Sequence, residues 1–105
     1  MDSLVAALND TDEMVKWNAA FALANRGDAA AREVLTRLLD KEYVDRQLQV
    51  TMPNRSKYRA AAVTWLGKLD KQAALPVLEK VAKEDLDLRV RDAALKQLEE
   101  LKHGS

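Results

Sequence analysis

The side chains able to do chemistry are few and scattered. His103 is the only histidine, and it stands beside a glycine in the tail LKHGS. A nucleophilic triad or a histidine metal site needs an imidazole held in place by its neighbours, whereas a histidine in such a tail meets solvent. Carboxylates gather at Asp10, Asp12 and Glu13, and again at Glu84, Asp85 and Asp87. A calcium loop sets more oxygen ligands at fixed spacing around a turn glycine, and neither group has that glycine. Both groups stand where acids cap helices and offset the helix dipole. The chain has no cysteine, which excludes disulfides and thiolate metal sites. No catalytic residue, cofactor site or metal site is assigned, and the chain reads as a non-enzyme.

Three short patterns carry other meanings. Arg26, Gly27 and Asp28 spell a cell-adhesion tripeptide, but each residue already has a role in a turn between helices. Asn9 to Thr11 and Asn54 to Ser56 fit the N-glycosylation pattern, and both also suit helix starts. Lysine plus arginine and aspartate plus glutamate are both 17, so the formal net charge is zero. Nucleic-acid binders draw most of their affinity from a basic excess, so nucleic acid is not the expected partner. No apolar run approaches the roughly 20 residues that span a bilayer, and the start MDSLVAALND lacks a basic leader region. The expectation is a cytoplasmic protein with no membrane partner.

The residues that must position any site are helix formers. Alanine is abundant, while glycine numbers 3 and proline 2. One phrase occurs three times. Val15 is followed by Ala19, Ala20, Ala22 and Leu23; Tyr58 by Ala62, Val63, Trp65 and Leu66; Val90 by Ala94, Leu95, Gln97 and Leu98. This spacing is the apolar stripe of an amphipathic helix. Ala19, Ala62 and Ala94 occupy one register position and are expected to be deeply buried where helices cross. A second helix signal follows two of the copies, with Val34, Leu35, Leu38 and Leu39 matching Val77, Leu78, Val81 and Ala82. SLVAALND matches the end of that second helix. Gly27 reads as a helix stop; Asp28 and Asp70 read as caps, as do Thr11 or Asp12, Asn54 or Ser56, and Asp85 or Asp87.

Val90 lies 32 residues after Tyr58, and Tyr58 lies 43 after Val15. The excess of 11 residues falls between Asp40 and Arg55, in an apolar insert. One copy departs from the phrase: Met14, Trp17 and Phe21 form a large apolar stripe on positions that face outward elsewhere. Such a stripe meets something. Either the insert covers it, through Tyr43, Val44, Leu48, Val50 or Met52, or a partner does. Cover by the insert is the favoured reading, and Met14, Trp17, Phe21 and Tyr43 are the candidate partner-binding residues.

The repeated pattern of an apolar residue, a cation, then A-A-x-A-L-G-x-L and A-L-P-x-L resembles the HEAT-like repeats. Tyr58 to Asp85 is the nearest stretch, similar to the short bacterial type named after phycobilisome lyases. The spacing of 32 is close to the roughly 33–34 of ankyrin and tetratricopeptide repeats, but their signatures T-P-L-H and W-x-x-L-G-x-x-Y are missing. The resemblance implies an all-α, right-handed solenoid of about five helices in one domain, residues 1–105, with an irregular insert at 41–54, cut from a longer protein. It implies that Lys16, Arg59 and Arg91 form a ladder bridging to acids such as Asp12, Asp40 or Asp87. It brings no catalytic residue. It implies a protein–protein interaction scaffold; the alternatives are an accessory segment of a larger enzyme and helical-repeat nucleic-acid binding. The apolar N-terminal helix is expected to permit self-association.

Overall fold

The structure, a computed structural model, describes residues 3–103. All regular elements among them are helical: α1 (Ser3–Ala7), α2 (Glu13–Asn25), a 3-10 turn (Ala29–Ala31) leading into α3 (Arg32–Arg37), α4 (Lys41–Asp45), α5 (Met52–Leu69), α6 (Lys71–Glu84) and α7 (Leu88–His103). There are thus seven α-helices where about five are expected, because α1 and α4 are single short turns.

The caps explain where each element starts. Asp12 accepts from the Met14 and Val15 amides, Asp28 from Ala30, Asp40 from Glu42 and Tyr43, and Asp70 from Ala73. Each bond satisfies an amide that the first helical turn leaves unpaired. Gly27 closes α2 at φ +73°, a left-handed conformation that a side chain disfavours. The start of α5 departs from expectation. Thr51 is its N-cap without a side-chain bond, and Met52, Pro53 and Asn54 form its first turn. Proline is tolerated there because its missing N–H has no helical partner in any case.

α2, α5 and α7 stand side by side, α2 against α5 and α5 against α7. The second helix of each pair packs on this row: α1 on α2, α3 on α2 and α5, and α6 on α5 and α7. The result is a two-layer slab measuring 37 × 30 × 16 Å between Cα atoms, the solenoid-like arrangement of stacked helix pairs. Ala19, Ala62 and Ala94 are buried, as their shared register position predicts, at 4, 0 and 0 % exposure. Small side chains there let the backbones approach. No described helix is long and apolar enough to cross a membrane.

The insert is not irregular throughout. Asp40 nucleates α4, whose Val44 is wholly buried, and Val50 anchors the turn that follows. Leu48 and Met52, expected to dock, are exposed. Two register positions also break the pattern. Val15 and Leu95, assigned to the apolar stripe, are 40 % and 55 % exposed.

Candidate functional site

The junctions between successive helix pairs concentrate the polar chemistry, and they are closed in different ways. At the junction of α5 with α3 and α6, the Arg59 side chain is buried. Its Nε donates to the Leu38 carbonyl at 2.9 Å and its Nη2 to the Leu39 carbonyl at 2.6 Å, the unpaired end of α3. Its other face forks onto Asp85, with Nη1 3.0 Å from Oδ1 and Nη2 donating to Oδ2. A planar guanidinium suits this bidentate geometry. Burial pushes the Asp85 carboxyl up, but the Arg59 hydrogen bonds, the Asp87 amide and the charges of Arg59 and Lys41 outweigh it and hold it below the usual range. The expected ladder therefore has a different acid: Arg59 reaches Asp85, not Asp12, Asp40 or Asp87. Asp12, Asp40 and Asp87 serve as caps.

At the first junction an aromatic network takes this place. Trp17 is fully buried, which corrects the outward placement that its repeat position predicts. Its Nε1 donates to the Tyr43 hydroxyl at 3.3 Å, and that hydroxyl donates to Glu13. Lys16 pairs with the same carboxylate at 3.1 Å. Trp17 also meets Tyr58, with ring centroids 5.1 Å apart, and Phe21 stacks on Tyr58 at 5.8 Å. Burial raises the Tyr43 phenol, and its hydrogen bond to Glu13 raises it further. Glu13 is pushed up by burial but lowered more by Tyr43, Lys16 and Arg37.

The structure thus unites Trp17 and Tyr43 by a hydrogen bond, and Phe21 joins them through Tyr58, a residue that sequence reasoning did not assign to the site. Met14 is half-buried against the same core. Trp17 is covered from within the chain and has no free surface for a partner, while Met14 and Phe21 stay half-buried.

An open surface lies elsewhere. A groove of about 950 Å³ runs between α6 and the segment Leu39–Asp45. Leu39, Pro76, Val77, Val81 and Leu86 give it apolar character, and Leu86 is 84 % exposed. Acids line it: Asp40, Glu42, Asp45, Glu84 and Asp85, against Lys41 and Lys80. Lys41 is engaged by Asp45 at 2.6 Å and Asp85 by Arg59. Asp40, Glu42 and Glu84 then outnumber Lys80, an acidic excess in a chain of zero net charge. Sequence reasoning missed this groove. Its one legible sign is Leu86, an apolar residue between two aspartates in a turn. His103 is exposed in the last turn of α7.

The repeat reading is matched independently by two family patterns. One, described as HEAT repeats, covers residues 1–52; the other, the PBS lyase HEAT-like repeat, covers residues 58–84. The chain belongs to the HEAT-like repeat family. Its second pattern coincides with α5 and α6, the pair that carries Arg59 and ends at Asp85. No curated protein matches the chain significantly, and no solved structure does. HEAT-like repeats in general serve as scaffolds for protein–protein interaction.

Proposed function

We propose that this chain binds a protein segment in the α4–α6 groove and performs no catalysis of its own. The observation that carries this reading is the groove itself, an apolar floor about 950 Å³ in volume with an acidic rim. A floor of Leu39, Val77 and Val81 accepts the apolar face of an amphipathic helix, as grooves of this kind do. The unpaired acids select basic residues on that helix's flanks, and they steer its approach. The width of a two-layer slab suits such a rigid, extended contact.

The test uses three helical peptides with one shared apolar face and polar faces of lysine, glutamine or glutamate. Titrated against the chain by fluorescence anisotropy, the lysine peptide binds and loses affinity as salt rises. Val77→Asp removes that binding. Equal binding by all three peptides, or binding by none, overturns the proposal.

A further inference from the structure

The repeat register exposes a contact that the chain makes once internally and leaves half-made at each end. Inside the molecule, Arg59 follows Tyr58, the first residue of the repeated phrase, and clasps Asp85 in the turn after α6. That turn has a defined geometry. Asp85 accepts the Asp87 amide at 2.9 Å, and Asp87 in turn caps α7 by accepting the Arg89 amide at 3.0 Å. The turn after α1 repeats it. Asp10 accepts the Asp12 amide at 2.8 Å, and Asp12 caps α2 by accepting the Met14 amide at 2.9 Å. Asp10 is therefore the structural counterpart of Asp85, yet it is exposed and has no ion pair among the described residues.

Arg91 is the counterpart of Arg59. Its Nε donates to the Ala82 carbonyl at the end of α6, as Arg59 donates to Leu38 and Leu39 at the end of α3. It too has no carboxylate partner among the described residues. The exposed side of α7 thus holds the arginine half of the clasp, and the turn between α1 and α2 holds the aspartate half.

The apolar positions tell the same story. Leu95 corresponds to Val63, which is wholly buried in α5, but Leu95 is 55 % exposed. Val15 corresponds to Val90, wholly buried in α7, but Val15 is 40 % exposed. Among the described residues no further unit packs over Leu95, and none packs over Val15.

We propose that copies of this chain stack head to tail, with α1 and α2 of one copy packed on α7 of the next as α6 and α7 pack on α5. Arg91 of one copy then clasps Asp10 of its neighbour, and Leu95 is covered. The contact joins two different surfaces, so it extends into a ring or an open row and does not stop at a pair. It uses the ends of the slab and is independent of the α4–α6 groove.

Sedimentation of the full chain over a wide concentration range tests it. The expected result is a mass that climbs beyond a dimer. Arg91→Asp and Asp10→Arg each weaken association by about tenfold or more, the scale on which a lost charge partner acts. The double reversal Arg91→Asp with Asp10→Arg restores the pair in opposite sense and recovers association. Thermal melts show whether each variant is folded; should Asp10→Arg melt early, Leu95→Asp tests the opposite face without touching the turn. A strict monomer at the highest concentration overturns the proposal. So does a dimer that ignores both reversals, or a double reversal no stronger than the single ones.

Discussion

Gly67 of α5 lies so close to Gln97 of α7 that a Cβ on Gly67 would stand 2.5 Å from the Gln97 Cγ. Gln97 is itself buried, at 3 % exposure, with Nε2 donating to Glu100 at 2.7 Å. Its position is apolar in the other two copies, Ala22 and Trp65. The pair is thus a mutual accommodation: a missing side chain on one helix receives a large one from its neighbour.

Gly67→Ala should therefore destabilise the fold by about 1–3 kcal/mol, since the added Cβ forces the Gln97 side chain out of its place. In a Gln97→Ala background the same change should be neutral or stabilising, because alanine gains about 1 kcal/mol of helix propensity over glycine. Urea unfolding of the four proteins closes the double-mutant cycle. Equal costs in both backgrounds would show that the helices do not meet there.

Asp85→Ala leaves the Arg59 guanidinium buried with only carbonyls for company. Loss of one member of a buried pair costs about 3–5 kcal/mol, and chemical denaturation should show a loss on that scale. The same pair sets an acid limit. The folded-state carboxyl is lowered, so its contribution is complete above the unfolded value of about 3.9 and disappears as pH falls through the lower folded value. Acid unfolding of Asp85→Asn should lack part of this steep loss below about pH 4.

Tyr43→Phe removes the hydroxyl that joins Trp17 to Glu13. The polar groups left behind should cost about 1–3 kcal/mol, read from the shift of the denaturation midpoint. In the intact chain, ultraviolet titration should find one tyrosine ionising above the usual value of about 10. Because the folded-state value is raised, this stabilisation is whole below about pH 10 and is lost as pH rises through the folded value. Glu13→Gln should move that tyrosine back toward its ordinary value.

Ala62→Leu places extra volume at a wholly buried crossing of α5. Overpacking should cost about 1–3 kcal/mol, visible as a lowered thermal midpoint. The same substitution at exposed Ala30 should leave the midpoint almost unchanged.

Ala19, Ala62 and Ala94 were legible because three copies put a small residue at one register position, and helix crossings demand small residues. The caps at Asp12, Asp28 and Asp70 were legible for a local reason: each bonds amides two or three residues ahead. Trp17 was not. Its environment is made by Tyr43 and Tyr58, 26 and 41 residues along the chain, and no periodicity within α2 reports them. Asp85 as the partner of Arg59 was hidden for the same reason, the two being 26 residues apart. The exposure of Leu95 and Val15 was hidden differently. A pattern states which face is apolar, but not whether a neighbour exists to cover it.

Units of nearly the same shape face a wiring problem, since α7 could offer the α5-facing side of α2 much the same backbone that α5 does. The unlike closures resolve it. With α7 in the place of α5, Val90 would stand where Tyr58 meets the Trp17 and Phe21 rings, and Arg59 would be parted from Asp85. The first error loses the ring contacts, and the second strands a buried charge away from water. The order of the units is thus addressed by side-chain chemistry as well as by the thread of the backbone, and a unit transplanted to another position would be a key cut for a different lock.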